Sequence, residues 1–402
     1  MATKAEAVSA EVVVSPIEYI ERVRALAPAF ADAQAHQEVV GELDPRLVAQ
    51  MHAAGLFRMI LPAWLNGGAL DPLTYTNVVE EIARHDASAA WCVNQGSGCS
   101  MVAGNLDPAV AKRVFGTPAD VLAWGPSPGA KAVAVEGGYT LNYSGSFASG
   151  SRHATWLGAL CLVYEPDGKP RARADGRNDM RAFILRKEQV DVRKDWNVVG
   201  LRGTGSDSYV AKDLFIPAEF SVIRDDEATR KETSAHYRYA STLIYSSGFA
   251  HVALGIARGV MEDFLNLAVH KTPREGRSSL RDSSAVQAEE ALCKAKWESA
   301  RGYMRACMTD AWATAVQSGR PTPEQRVTLR LASTFTIHAA KEVVDILYDA
   351  AGSHAILRSG PFERRFRDMH AVTQQLQGRK SHLENVGRFL LGLPIDLASL
   401  QM

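Results

Sequence analysis

Between residues 190 and 217 two strand-like runs are joined by a glycine-dense segment, and this joint restricts the possible folds more than any other stretch of the chain. Upstream, Val190-Asp191-Val192 alternates; downstream, Tyr209-Val210-Ala211-Lys212-Asp213-Leu214-Phe215-Ile216 runs into Pro217. Alternating runs bounded by turn residues read as strands. The joint, Trp196-Asn197-Val198-Val199-Gly200-Leu201-Arg202-Gly203-Thr204-Gly205-Ser206-Asp207-Ser208, lets backbone approach a neighbour closely. If it is extended, Thr204, Ser206 and Ser208 present hydroxyls on one side. Alone, the pattern fits either a tight loop or a wall built to hold something.

The flanking chain changes period twice. From Pro16 to about Arg113 the apolar spacing is helical: Ile20, Val23, Ala27 and Phe30 form one stripe. Leu43-Asp44-Pro45 opens a second helix that stops at Gly55, and Tyr75, Val78, Val79, Ile82 and Ala83 mark a third ending at Asp86. From Val121 the pattern becomes β, with a short Val121-Leu122-Ala123-Trp124 run. The run 132–136 and the run 139–143 flank Gly137-Gly138 as in a hairpin, Trp156 to Tyr164 is continuously apolar, and Ala182–Leu185 is a further strand. Within this middle lies Gly145-Ser146-Phe147-Ala148-Ser149-Gly150-Ser151. From Tyr239 the period is helical again, with Phe249, Val252, Ile256, Val260, Phe264 and Leu267 on one face. Ser284-Ala285-Val286-Gln287 and Thr322-Pro323-Glu324-Gln325 read as capping boxes, and Val327, Leu331, Phe335, Ala339, Val343 and Leu347 advance by fours. The expected division is a helical part over 1–120, a β part over 121–230 and a helical bundle over 231–402.

Several function classes are excluded by composition. Lys+Arg and Asp+Glu are both 45 over 402 residues, which leaves no electrostatic footprint for nucleic acid or an anionic membrane. Five separated cysteines without a CxxC pair argue against a disulfide framework or a zinc site. The first residues lack the apolar core of a secretory signal, and no run reaches the roughly 18 apolar residues of a membrane span, so the expectation is a cytoplasmic protein.

Three segments together resemble the acyl-CoA dehydrogenase superfamily: the ordered series Gly55-Leu56, Pro62, Gly67-Gly68, Glu80-Glu81-Ile82-Ala83 and Ser88-Ala89-Ala90-Trp91; the Phe147–Ser151 run; and Trp196 through Ser208. The Ala-Trp ending is similar to its flavin-dependent monooxygenase branch. The resemblance implies an α+β, mainly α fold with an N-terminal helical domain, a middle β-barrel or sheet domain and a C-terminal helical bundle. It implies flavin contacts from Trp124, Phe147, Ser149, Ser151, Trp196, Thr204 and Ser206. It also implies a homotetramer in which Gly352, within Gly352-Ser353-His354, and Arg277 or Arg281 reach the cofactor across subunits. Neutral hydroxyls and backbone amides suit a flavin, whose polar edges cost about 1–3 kcal/mol each when left unpaired.

The chemistry divides on a missing acid. A dehydrogenase needs a carboxylate base, yet the run after Arg367-Asp368 is His370-Ala371-Val372-Thr373-Gln374-Gln375-Leu376-Gln377-Gly378, and the alternative position near Tyr245 is also without one. The resemblance therefore favours an oxygenase component that uses reduced flavin (FADH2 or FMNH2) and O2 on an aromatic or heteroatom-containing substrate such as an indole, phenol or amine. A separate NAD(P)H:flavin reductase is implied by the resemblance alone; no GxGxxG follows a strand here. Ser149 or Ser151 is the candidate contact to flavin N5. Gln375 stands where the branch has a His, and Gln cannot act as a base at pH 7; His382, or less directly His370, is the nearby alternative. Trp91, Asn94 and Gln95 are candidate substrate contacts, with a helix-end turn at Gly96 and Gly98 as the plainer reading. A dehydrogenase with a displaced base and a flavin binder without catalysis are the competing readings.

Overall fold

In a computed structural model that describes residues 16–274 and 277–395, helices come first, then strands, then helices. The N-terminal helices are α1 (Pro16–Ala25), α2 (Ala27–Val40), α3 (Pro45–Ala53), α4 (Pro72–His85), α5 (Ala87–Ser100) and α6 (Pro108–Phe115). Three of them start on Asp-Pro: the carboxylates of Asp44, Asp71 and Asp107 accept from freed first-turn amides while proline occupies a position that needs no N–H. The stripe Ile20-Val23-Ala27-Phe30 does not belong to one helix. Pro28 cannot donate back to the preceding turn, and the chain breaks at Leu26 between α1 and α2.

The middle strands are β1 (Leu122–Trp124), β2 (Lys131–Val135), β3 (Gly138–Ala148), β4 (Trp156–Tyr164), β5 (Met180–Arg186), β6 (Asp191–Arg193), β7 (Asp207–Pro217) and β8 (Ser221–Val222). They form one mixed sheet in the order β6-β7-β3-β2-β4-β5-β8, with β1 paired to β4. The expected hairpin is present, closing at the Val135–Gly138 pair. Between β3 and β7 the register slips from Gly145 to Ala148, and Phe147 in this bulge sits at φ 57°. A bulged, left-handed phenylalanine marks a place where the strand re-aims its side chains.

The last helices are α7 (Ala235–Tyr239), α8 (Ser241–His270), α9 (Ser284–Gln317), α10 (Pro323–Ala351), α11 (Phe362–Gln374) and α12 (Ser381–Leu390). Thr322 and Gln325 form the expected capping box. Ser284 does not cap: it is the first residue of α9, Ser283 holds the cap position without a side-chain bond, and Gln287 donates to the Arg281 carbonyl instead. α8 is buried all round from Ser241 to Ala257 rather than on one face, because α4, α5 and α10 enclose it. On α10 the stripe advancing by fours drifts by about 40° per step against 3.6 residues per turn, and Phe335 is left 47% exposed.

Candidate active site

The joint ahead of β7 is fixed from two directions. Asp207, wholly buried, accepts from the Trp196 amide (3.0 Å) and pairs with Arg152 through Nε (2.6 Å) and Nη2 (3.1 Å). From α11, Asp368 accepts from the Leu201 amide (2.6 Å) and Arg367 donates to the Val199 carbonyl (2.5 Å). Gly200 lies against the Arg367 carbonyl, where a Cβ would overlap it. Leu201 takes φ 52° under these ties, so the joint is folded back rather than extended.

That bend gathers hydroxyls. Thr204 Oγ1 donates to the Leu201 carbonyl (2.9 Å), lies 2.7 Å from Ser206 Oγ, and Ser206 Oγ lies 2.7 Å from Ser149 Oγ. Trp91 Nε1 donates to Ser149 Oγ (2.9 Å). The proton order follows from the two ends. Since the only Thr204 hydroxyl proton goes to Leu201, Ser206 must donate to Thr204, and Ser149 in turn to Ser206. Every hydroxyl proton points inward along the chain, and each oxygen retains acceptor capacity. Ser151 likewise donates to the Gly205 carbonyl (2.9 Å), while Ser208, on the outer side, donates its amide to Asp195 Oδ1 (2.9 Å).

Beside this relay stands an aromatic wall. Trp91 packs on Phe249 (ring centroids 4.1 Å) and Phe249 on Tyr245 (6.1 Å, interplanar 16°). Tyr245 Oη donates to Cys99 Sγ (3.2 Å), and Gln95 Nε2 reaches the same sulfur and the Trp124 carbonyl (3.3 Å). Helix α5 runs unbroken through Gly96 and Gly98, and at Gly98 a Cβ would overlap the Tyr245 ring. Phe147 is 64% exposed and meets Trp196 edge to face. Burial pushes the Cys99 thiol up to about 12 and the Tyr245 phenol well above its ordinary value. Both stay neutral.

Some expected contacts are committed elsewhere. Asn94 is fully buried, accepts from Tyr75 Oη (2.9 Å) and donates to the Tyr245 carbonyl (3.3 Å), so its amide ties α4 to α8 instead of facing a substrate. The His382 ring nitrogen Nε2 can only donate to the Leu376 carbonyl (2.8 Å), and burial lowers its pKa to about 4: a neutral ring that holds the α11–α12 turn. His370 pairs with Asp345 (3.0 Å). Arg277 and Arg281 are exposed in the α8–α9 connection, and Gly352 (φ 55°) ends α10 where Lys271 donates to the Ala351 carbonyl; none of the three touches the relay within one chain. Gln375 keeps a distinctive state. Its Oε1 accepts from the Gln377 amide (2.9 Å), while its buried Nε2 has no partner among the described residues. Two surface clefts of about 570 and 320 Å³, lined respectively by residues such as Lys112 and Trp156 and by residues such as Asp32 and Arg46, lie apart from this cluster.

The parts suit a flavin ring: an edge-to-face aromatic pair, exposed Phe147 on half-buried Trp196, beside buried neutral oxygens, with the neighbouring Arg152 already paired with Asp207. The fold and this site define a member of the acyl-CoA dehydrogenase superfamily: residues 18–115 match the acyl-CoA dehydrogenase N-terminal domain and residues 247–377 the C-terminal domain. Within it, the relatives are two-component flavin-dependent monooxygenases. An indole-3-acetate monooxygenase of Pseudomonas putida is 26% identical over 371 residues, 90% of this chain and 92% of its own. The 3-HSA hydroxylase of Rhodococcus sp. RHA1 superposes with a TM-score of 0.86 at 22% identity, covering 94% of this chain and 98% of its own. XiaF from Streptomyces sp., solved with FADH2 and glycerol, gives 0.85 at 22%, covering 94% and 96%.

Proposed function

We propose that the protein is the oxygenase component of a two-component monooxygenase that takes reduced flavin and O2 and oxygenates an indole-like or other electron-rich aromatic ring. The observation that carries this is the direction of the Trp91–Ser149–Ser206–Thr204 relay. With all its protons spent inward, the relay offers lone pairs and no donor. The N5 of reduced flavin bears a hydrogen and that of oxidised flavin does not, so an acceptor-only wall selects the reduced form. Bound reduced flavin would supply the electrons that activate O2.

The chain's residues contribute position, dryness and hydrogen bonds. Phe147, Trp196 and Trp124 hold the ring; Ser149, with Ser206, receives its N–H; and Ser151 and Thr204 keep the wall in shape. Trp91 faces both relay and substrate, and Gln95 offers its side-chain carbonyl. Gln375 holds two unclaimed amide hydrogens, which could donate to an oxygen of a bound substrate or cofactor and cannot remove a proton. A substrate already nucleophilic at carbon or sulfur therefore fits better than a phenol needing deprotonation. Neither position that could carry a dehydrogenase base holds a carboxylate.

A homotetramer, with Arg277, Arg281 and Gly352 completing the cofactor site across subunits, a separate NAD(P)H:flavin reductase and a cytoplasmic location belong to the same reading. So do the domain limits 1–120, 121–230 and 231–402. The test is to bind reduced and oxidised flavin separately, then mix the reduced complex with oxygen. Tighter binding of the reduced form, and a lag before the oxidised-flavin spectrum develops, are expected. Equal affinities together with reoxidation at the rate of free flavin would sink the proposal.

A further inference from the structure

We propose that Arg224 is an anion anchor for this site, taking the carboxylate of a ring-bearing substrate; the proposal rests on the aromatic oxygenase reading above and names its substrate class. Arg224 lies in the turn after β8, with its guanidinium over the Trp124 ring, 5.8 Å from the centroid. Trp124 links it to the aromatic wall: Gln95 bonds both the Trp124 carbonyl and Cys99 Sγ, and Cys99 Sγ accepts from Tyr245 Oη.

The guanidinium is uncommitted. Its side chain is 22% exposed, and none of its N–H groups has an acceptor at hydrogen-bonding distance among the described residues. Its one acidic neighbour, Asp225, stands 4.0 Å away and is occupied: it accepts from the Ser241 amide (3.0 Å) and from Ser241 Oγ (2.5 Å), closing the start of α8. The next acid, Asp226, is bonded to Arg173 (2.9 Å). Elsewhere Arg152, Arg171 and Arg365 each donate to a carboxylate. Arg224 alone of these keeps its fork for something the chain does not supply.

Its mounting is rigid. Asp225 (φ 56°) and Ala240 (φ 80°) both take left-handed backbone conformations where the Asp225–Ser241 bonds join them, and the amides of Lys231 and Glu232 donate to the Gly104 carbonyl. A fixed backbone mount leaves only the side-chain torsions to be ordered on binding, and a guanidinium matches a carboxylate through two parallel bonds. The side-chain carbonyl of Gln95, whose Nε2 bonds the Trp124 main-chain carbonyl, has no hydrogen bond among the described residues and would take a ring N–H. An aromatic acid satisfies both groups.

The test uses full-length protein carrying reduced flavin without oxygen, titrated with indole-3-acetate and with its neutral counterpart indole-3-acetamide. Wild type is expected to bind the acid at least about tenfold more tightly than the amide, the factor a charge-assisted hydrogen bond supplies. Arg224→Gln should bring the acid down to the level of the amide and leave the amide unchanged; Arg224→Lys should keep part of the preference. Equal binding of acid and amide by wild type overturns the proposal, as does an Arg224→Gln variant that loses both alike. Weakened binding of reduced flavin by Arg224→Gln overturns it too, assigning the fork to a cofactor phosphate. Oxygenation of unsubstituted indole, followed in parallel, reads the enzyme class separately: oxygenation without acid preference removes the anchor alone, and acid preference without oxygenation removes the monooxygenase reading alone.

Discussion

Ser149 is the residue on which the relay turns, because it receives the Trp91 proton and passes its own to Ser206. Ser149→Ala leaves a buried indole N–H without an acceptor, and the expected loss is about 1–3 kcal/mol in chemical denaturation. The same variant should lose its preference for reduced over oxidised flavin. Asp368 offers a pH signature. Burial raises its carboxyl to about 6 from an ordinary 3.8, so the folded chain holds this proton where the unfolded chain releases it. Stability from this group is therefore greatest below the ordinary value and falls as pH rises from about 4 to about 6, by up to about 3 kcal/mol. Asp368→Asn keeps an acceptor for the Leu201 amide and has no proton to lose. Stability of wild type minus that of the variant should drop across this window; a constant difference would show that Asp368 does not titrate there.

At the scale of elements, two close approaches locate the site. Gly98 lets Tyr245 of α8 lie against α5, and Gly200 lets α11 rest on the joint before β7. Gly98→Ala should cost about 1–3 kcal/mol by overpacking, seen as a lower denaturation midpoint, and should weaken binding of aromatic ligands. An unchanged midpoint would mean the helices separate at no cost. These elements differ in how far the sequence discloses them. Strands β4 and β7 and the Thr322 cap can be read from alternation, length and capping chemistry, which are local. The break at Leu26 was equally local, written in Pro28, but the apolar stripe hides it. The Asp207–Arg152 and Asp368–Leu201 ties lie beyond such reading, since their partners are 55 and 167 residues apart. For the same reason Asn94 looks like a substrate contact until α4 and α8 are seen to claim both ends of its amide. Arg224 carries no motif at all; its uncommitted guanidinium above the Trp124 ring is seen only once β1 and the turn after β8 are brought together.

The whole molecule leaves apolar surface on its C-terminal helices, with Phe335 47%, Leu292 51%, Leu265 50% and Val316 48% exposed. Under the tetramer proposal these side chains face other subunits. Light scattering during size exclusion is expected to give four chains of 43.7 kDa, and Phe335→Glu should shift the species toward smaller assemblies with weaker flavin retention. A monomeric wild type that retains reduced flavin would refute the cross-subunit roles of Arg277, Arg281 and Gly352. No described helix is long and apolar enough to cross a membrane.

The burial of α5 has one more consequence. Two thiols stand beside a site that handles oxygen and electrons: Cys92, against the Thr204 carbonyl, and Cys99, against Tyr245. Oxidation of cysteine proceeds through the thiolate, and burial raises the pKa of both far above neutrality. Hydrogen peroxide leaking from an unproductive cycle would meet sulfur that is almost entirely protonated. The packing that joins α5 to the sheet and to α8 thus also shields these two sulfurs from a by-product of the chemistry beside them.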